Sequence, residues 1–252
     1  MSRPVNLKNI AIVLHRPRYP ENIGAAARAM HNMGFAQLVV VDPQNCDLTR
    51  VLKMATHAAM DVVEDMEVCE DLQEALGPYN FVVGTTARLG RQRAVISSPV
   101  QLAEMLAPLT GANRIALVFG PEDRGLTNED LRYCHVLVNI PTAEFASLNL
   151  AQAVMILCYE IRCCTLGETK EFVPRLANRH ELDGMYAQLK DVLVRISFIN
   201  PQNPDYFMNN LRHFFTRMQL RAKEVNIIRG ICRQIDWYGR KCFQEGIQKR
   251  RD

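Results

Sequence analysis

Three short segments carry polar residues beside glycine or small-residue turns. They are residues 21–28 (Glu-Asn-Ile-Gly-Ala-Ala-Ala-Arg), 118–126 (Val-Phe-Gly-Pro-Glu-Asp-Arg-Gly-Leu) and 147–153 (Ser-Leu-Asn-Leu-Ala-Gln-Ala). Arginine, glutamate, asparagine and serine together can stabilise charge and fix the geometry of a reacting group. The first two segments closely follow apolar runs typical of strands. We therefore interpret the three segments as parts of one site.

Several common chemistries lack their sequence motifs. No Gly-x-Gly-x-x-Gly follows the first strand, and no Gly-Lys-Ser/Thr or Gly-x-Ser-x-Gly occurs, so a dinucleotide site, a P-loop and a hydrolase triad are unsupported. The 8 cysteines contain no Cys-x-x-Cys pair, and the histidines have no ligand spacing, so we expect no metal. A cofactor without a phosphate is the better fit.

Residues 1–165 alternate between strand and helix patterns, which predicts an α/β domain with a mostly parallel sheet. The predicted strands are 9–15, 37–42, 81–85, 115–119 and 136–140; the predicted helices are 22–33, three near 48–58, 70–76 and 99–107, and a long one from Ser147 to about Cys164. Ligands of parallel sheets bind where the strands end. Gly84, Gly120 and Ile140 lie at such ends, and we expect the two glycines to let backbone approach a ligand.

Residues 166–175 lose this pattern and predict a linker, and residues 176–252 predict a helical domain with a period near 3.6. Residues 1–165 hold 14 basic and 17 acidic residues, net −3, whereas residues 166–252 hold 16 and 10, net +6. A basic helical domain suits a polyanionic partner, although a solvated helix surface explains it equally well. No apolar run is long enough for a membrane helix or placed as a signal peptide, so a cytoplasmic protein is expected.

The three segments resemble the signature motifs of the SPOUT superfamily of RNA methyltransferases, in its SpoU/TrmH branch. Segments 125–129, 208–212, 215–217 and 226–230 add a resemblance to the TrmJ subgroup of tRNA 2′-O-methyltransferases. The resemblance implies an α/β fold with a C-terminal trefoil knot, a homodimer, and a helical RNA-binding extension. It also implies methylation of the ribose 2′-OH of nucleotide 32 in the tRNA anticodon loop by S-adenosylmethionine, without a metal.

The same resemblance assigns roles to individual residues. It makes Arg28 essential for catalysis, and Glu122, Ser147 and Asn149 in the matching motifs are the other catalytic candidates. We expect Asn22, Arg28, Arg88, Arg212 and Arg217 to contact the RNA, although a solvated loop explains Arg88 equally well. The cofactor-binding residues that it implies are Thr85, Thr86, Ala87, Gly120, Ile140, Ala146, Ser147 and Leu148.

Each assignment has a purely structural alternative. Arg28 is otherwise a surface arginine on an alanine-rich helix, and Glu122, expected to pair with Arg28, is otherwise a carboxylate beside a helix starting at Thr127. Asn22 and Ser147 are otherwise N-caps, and Asn149, expected to bond the arginine or the cofactor, is otherwise a buried residue satisfying a helix start.

Three other functions remain open from the sequence. The nearest is ribosomal RNA 2′-O-methylation, and a second is an RNA-binding SPOUT protein that has lost catalysis. Methylation of a pyrimidine base is the third.

Overall fold

The computed structural model describes residues 5–87, 95–143, 148–164, 174–200 and 202–248, without the side chains of 245–248. The chain divides into two compact units, Met1–Arg175 and Leu176–Asp252. Most of the predicted linker, 166–175, lies outside the described residues, as do Arg88, Ala146 and Ser147.

The first unit is built on a seven-stranded parallel sheet with the order β3-β2-β1-β6-β4-β7-β5. The strands are β1 (Ile10–His15), β2 (Gln37–Val41), β3 (Glu67–Cys69), β4 (Phe81–Thr85), β5 (Val95–Ile96), β6 (Ile115–Phe119) and β7 (Val136–Val138). Every residue of β1 and β6 is buried, because both faces of a parallel sheet are covered. The predicted fold class is confirmed, and the trefoil knot stays a prediction.

Helices flank this sheet. They are α1 (Pro20–Met33), α2 (Leu48–Ala55), α3 (Met60–Glu64), α4 (Leu72–Leu76), α5 (Pro99–Leu106) and α6 (Leu150–Cys164). Helix α4 packs over the face that carries Ala11 and Val13 of β1. Helix α1 contacts both α2 and α6, and α6 also contacts α5. At Gly24 an added Cβ would lie 2.0 Å from the Val51 carbonyl oxygen, so α1 and α2 approach closely only because residue 24 is glycine.

The sequence placed most elements correctly but not all of their ends. Helix α1 begins at Pro20, because proline suits the first helical position, so the N-cap is Tyr19 and the N-cap interpretation of Asn22 was wrong. Gly34 ends α1 at φ 83°, as predicted. Strands β3 and β5 were not predicted, because they are short and only partly buried.

In the described residues of the second unit there are three helices, α7 (Arg179–Arg195), α8 (Pro204–Met218) and α9 (Ala222–Gln248). Asn178 and Glu181 form a capping box at the start of α7. The helices enclose a small apolar core of Ala177, Leu182, Met185, Tyr186, Ile199, Met208, Leu220 and Val225. The unit therefore has a core of its own.

Candidate active site

Neighbouring strands place the predicted site residues along one edge of the sheet. Leu14 is in register with Phe119, so the segments after β1 and β6 begin side by side. On the other side of β6, Gly84 is in register with Val118, and Thr85 is in register with Val138 of β7. The loops after β1, β6, β4 and β7 therefore leave the sheet next to one another, which is where ligands of such sheets bind.

A chain of side-chain hydrogen bonds joins the three sequence segments. The Asn22 Nδ2 donates to Glu122 Oε1 at 2.7 Å, and Asn149 Nδ2 donates to Asn22 Oδ1 at 2.9 Å. The partners are 100 and 127 residues apart in the sequence. The amide of Asn22 is thereby used at both ends, as a donor to the second segment and an acceptor from the third.

Glu122 is a positioning carboxylate in this arrangement. Its Oε2 accepts from the backbone N–H of Arg18 at 3.0 Å, so the two carboxylate oxygens bind the first turn of α1 and the loop that precedes it. The Arg18 guanidinium also pairs with Asp123 at 2.9 Å, but with side chains 37% and 45% exposed this pair contributes little. The structure does not pair Glu122 with Arg28 as expected. Arg28 lies six residues beyond Asn22, about 9 Å further along α1.

Asn149 also differs from its predicted environment. Its Oδ1 accepts from the Ala151 N–H at 2.9 Å, so it caps the start of α6, and its Nδ2 bonds Asn22 rather than Arg28. The residue is exposed rather than buried. Asn149 therefore combines a helix cap with a tertiary contact between α6 and α1.

Gly84 and Gly120 make room for the protein's own chain. A Cβ on Gly120 would lie 2.3 Å from the Leu126 nitrogen, and one on Gly84 would lie 2.7 Å from the Cys134 Sγ. The protein's own chain therefore requires glycine at both positions, and the approach of their backbone to a ligand stays a prediction. Gly120 is required because residues 121–126 fold back against it, in a turn closed by the Gly125 N–H donating to the Pro121 carbonyl at 2.9 Å.

The ends of β4 and β7 are tied together by Asn139. Its Nδ2 donates to the Thr86 carbonyl at 2.9 Å, and the Thr86 N–H donates to the Val138 carbonyl at 2.9 Å. The Thr85 hydroxyl donates to the Val118 carbonyl at 3.1 Å. Sequence reasoning missed Asn139, although a polar residue directly after a buried strand was the available signal.

Arg28 lines a cleft of about 530 Å³ between α1 and α6. Its side chain is exposed, and among the residues that the structure describes it has no hydrogen bond or ion pair. Of the predicted cofactor residues, Leu148 borders the same cleft. The remaining lining residues are Ala25, Ala29, Asn32, Ala151, Gln152, Met155 and Ile156. An arginine here is available to a ligand, and its catalytic role stays a prediction.

His15, at the end of β1, is the buried ionisable group of this edge. It is 3% exposed, and its Nε2 lies 3.2 Å from the Asp130 Oδ1. Burial lowers the pKa of His15, opposed by the Asp130 carboxylate. The neutral form of the ring is therefore favoured more than it is in a solvent-exposed histidine.

The two arginines predicted to bind RNA in the second unit do not share a face. Arg212 and Arg217 are five residues apart on α8, so they point to different sides of the helix. The Arg212 guanidinium lies 5.5 Å from the centre of the Tyr186 ring, and the Arg217 side chain is exposed. They do not form a single patch.

Within the described residues, no group of three or more His, Cys, Asp or Glu is arranged to hold a metal. None of the helices in the same part of the chain is long and apolar enough to cross a membrane.

The family model of the SpoU rRNA Methylase family matches residues 9–159, the part of the chain that contains the whole hydrogen-bonded site. The chain belongs to this methylase family. A second model, the C-terminal domain of the tRNA methyltransferase TrmJ, matches residues 180–248. The resemblance seen in the three segments is thereby confirmed, and the chain is a methyltransferase.

Curated relatives place this SpoU methylase in the TrmJ subgroup. It is 38% identical over 239 residues to the tRNA (cytidine/uridine/adenosine-2′-O-)-methyltransferase TrmJ of Pseudomonas aeruginosa, covering 89% of this chain and 93% of that one. It is 35% identical to the tRNA (cytidine/uridine-2′-O-)-methyltransferase TrmJ of Photorhabdus laumondii, over 93% and 100% of the two chains. The crystal structure of TrmJ from Z. mobilis superposes with a TM-score of 0.75 at 29% identity, covering 90% and 98%.

Proposed function

We propose that this protein transfers a methyl group from S-adenosylmethionine to the ribose 2′-OH of tRNA, at cytidine or uridine 32 of the anticodon loop. The observation that carries the proposal is the hydrogen-bonded chain Glu122–Asn22–Asn149, which joins all three signature segments beside the cleft that holds Arg28. The 2′-O-methylation activity named for the TrmJ relatives supports the reaction and the tRNA substrate. Position 32 rests on the subgroup resemblance.

The residues at the ends of β4 and β7 fit a nucleoside cofactor. Thr86 and Ile140 are partly exposed, Ala87 is exposed, and Asn139 holds the two strand ends together. Small and apolar side chains next to backbone polar groups suit an adenine ring. S-adenosylmethionine, when bound, supplies a methyl group on a positively charged sulfonium. Thr85, Gly120, Ala146, Ser147 and Leu148 complete the proposed cofactor loops, of which Ala146 and Ser147 lie outside the described residues.

Arg28 acts as an electrostatic stabiliser. A ribose hydroxyl becomes negatively charged as it loses its proton, and a guanidinium in the cleft stabilises that charge or orients the adjacent phosphate. A guanidinium stays protonated at neutral pH, so it is a poor base. The hydrogen bonds of Glu122, Asn22 and Asn149 keep α1, the loop after β6 and the start of α6 in fixed positions around it. Ser147 is proposed to contact the ribose or the cofactor.

Partners follow from the same proposal. Asn22 and Arg28 on α1, Arg88, and Arg212 and Arg217 on α8 are proposed to contact the RNA, with the helical unit as an RNA-binding extension. The protein is proposed to act in the cytoplasm as a homodimer, with each site near the subunit interface.

Nucleoside mass spectrometry after incubation with labelled S-adenosylmethionine tests the reaction. We expect a 2′-O-methylated pyrimidine nucleoside in tRNA from cells lacking the gene, mapped to position 32 by nuclease digestion. Label confined to ribosomal RNA would contradict the tRNA substrate, and label on a base would contradict the reaction.

Arg28→Ala tests the mechanism. Loss of one charge-stabilising group should lower kcat about 100-fold, or about 3 kcal/mol, while S-adenosylmethionine binding measured by calorimetry stays within about twofold. Arg28→Lys should recover part of the loss, and Lys53→Ala, which removes an exposed cation from α2, should change neither quantity. Turnover by Arg28→Ala at the normal rate would refute the assigned role.

A further inference from the structure

One side of α9 carries a continuous line of polar residues with one tryptophan among them, which we call the basic strip. Its members follow one another at spacings of three or four, so they lie along one side of the helix. The basic strip consists of Asn226, Arg229, Arg233, Trp237, Arg240 and Gln244. It contains cations, amides and one aromatic ring, and no acidic residue. A helix surface that is merely solvated more often mixes both signs of charge.

Both acidic residues whose side chains are described on α9 already have partners. Asp236 is 22% exposed and pairs with Arg195 of α7 and with Arg240. Glu224 accepts a hydrogen bond from the Arg221 N–H at 2.8 Å, at the start of the helix. The Arg240 guanidinium remains 72% exposed despite its partner. Arg229 is half-buried and donates to the Gln188 Oε1 of α7 at 3.3 Å, so the solvent-exposed positive charge of the basic strip is that of Arg233 and Arg240.

Trp237 lies in the middle of the basic strip and is the single tryptophan of the chain. It is 54% exposed, whereas a ring with so much apolar area is usually mostly buried. The Lys241 Nζ lies 5.3 Å from the ring centre, which adds a further cation beside it. Arg233 and Arg240 precede and follow Trp237 along the strip. An exposed aromatic ring between cations is the arrangement that binds unpaired nucleotides, with phosphates on the cations and a base stacked on the ring.

We propose that the basic strip of α9 is the surface on which the helical unit binds its RNA substrate. Arg233 and Arg240 contact phosphates, and Trp237 stacks on an unpaired base. The inference rests on the proposed function for the identity of the RNA, and charge complementarity argues for this occupant. It adds a continuous surface that Arg212 and Arg217 do not provide, since they lie on different sides of α8.

The single tryptophan makes the stacking directly measurable. Full-length protein without methyl donor is titrated with tRNA while the intrinsic tryptophan emission is recorded. Stacking should quench the emission, with a midpoint equal to the Kd found by anisotropy of fluorescently labelled tRNA. Binding of tRNA without any change in emission would overturn the proposal. So would a blue shift with anionic phosphatidylglycerol vesicles in the absence of any response to tRNA.

Substitutions separate the phosphate contacts from the stacking contact. Arg233→Gln with Arg240→Gln should reduce the slope of log Kd against log salt by roughly 1.5, because each lost phosphate contact removes about 0.7 to 0.9. Trp237→Ala should weaken tRNA binding roughly tenfold, and Trp237→Phe should restore much of the loss. Lys53→Gln on α2 and Tyr206→Ala on α8, an exposed cation and an exposed aromatic that are not members of the strip, serve as matched controls. Equal losses in the controls would contradict the proposal.

Kinetics distinguishes failure of the strip from failure of the proposed function. The strip variants should raise KM for tRNA while kcat at saturating tRNA stays within about twofold, because the methylation site is in the other unit. If the unmodified protein binds and quenches with tRNA but transfers no methyl group to it, the proposed function fails and the strip remains. If it methylates tRNA and the strip variants keep the normal KM, the strip proposal fails alone.

Discussion

Exchanging the groups at positions 22 and 122 tests the hydrogen-bonded chain that joins the three segments. Glu122 accepts from Asn22 Nδ2 at 2.7 Å and from the Arg18 N–H at 3.0 Å, and Asn22 accepts from Asn149. In Asn22→Asp, an oxygen replaces the nitrogen that faces Glu122. In Glu122→Gln, the new amide NH₂ must face either the Arg18 N–H or the Asn22 Nδ2, and both of these groups are donors. In the double variant, the new amide at position 122 can donate to the new carboxylate at position 22 and still accept from Arg18, so every hydrogen bond is regained.

The magnitudes follow from these contacts. A hydrogen bond to a charged group contributes about 1.5 to 3 kcal/mol, so Glu122→Gln should lower the free energy of unfolding of the first unit by about 2 kcal/mol. Asn22→Asp loses a similar bond and adds repulsion between two carboxylates, so about 3 to 4 kcal/mol is expected, with part of the repulsion relieved by proton uptake. The free energy of unfolding of the double variant should lie within about 1 kcal/mol of that of the unmodified protein. The two substitutions are then less destabilising together than the sum of their separate effects, by a coupling energy of roughly 4 kcal/mol.

Hydrogen exchange of the β1 and β6 amides, followed by mass spectrometry, measures the stability of the first unit separately from the helical unit. The specificity constant kcat/KM for tRNA methylation is measured on the same four proteins, and we expect it to recover with stability. A double variant that is no more stable than Asn22→Asp alone would refute the assigned hydrogen bonds. Recovery of stability without recovery of kcat/KM would instead mean that the Glu122 carboxylate itself acts on the substrate.

Two further predictions concern the same edge of the sheet. Gly120→Ala should lower the free energy of unfolding by at least about 2 kcal/mol, because the new Cβ would overlap the Leu126 nitrogen. Gly111→Ala is the control: the space around its new methyl group is open, so the free energy of unfolding should change by less than about 0.5 kcal/mol. Urea denaturation measures both. Burial lowers the pKa of His15 in the folded protein below its ordinary value of 6.5. The stability that neutral His15 contributes is therefore complete above about pH 6.5 and is lost as the pH falls through the pKa of the folded state. His15→Asn should flatten the pH dependence of the urea midpoint between about pH 5 and 8, and an unchanged dependence would contradict the lowered pKa of His15.

The sequence predicts the buried elements of the first unit better than its edges. Contiguous apolar runs locate β1, β4 and β6, because strands buried on both faces need no polar residue. The edge strands β3 and β5 lack that signal, since solvent or short length removes the need for apolar side chains. The order of the strands, with β4 between β6 and β7, depends on packing between distant segments, and no local pattern encodes it.

The site shows the same limit at the level of single residues. The motif resemblance selected Asn22, Glu122 and Asn149, and the structure places all three in one hydrogen-bonded chain. The predicted pairing of Glu122 and Asn149 with Arg28 was wrong, because residue type does not say which of several donors lies within 3 Å of an acceptor 100 residues away. At Gly120 the sequence also gives no sign of the chain segment that occupies the missing side-chain volume, because that segment reaches the glycine only after folding.

The pairing of β1 with β6 has a consequence for how the protein is made. Residues 10–15 pair on one side with 115–119, which are synthesised about a hundred positions later. Contacts so distant in sequence close large loops and form slowly, whereas the three helices of the second unit rely on nearby partners and should form quickly. The second unit follows the first in the chain but is thus expected to fold sooner. Until it acquires its central strand pair, the nascent first unit exposes apolar surface that chaperones recognise.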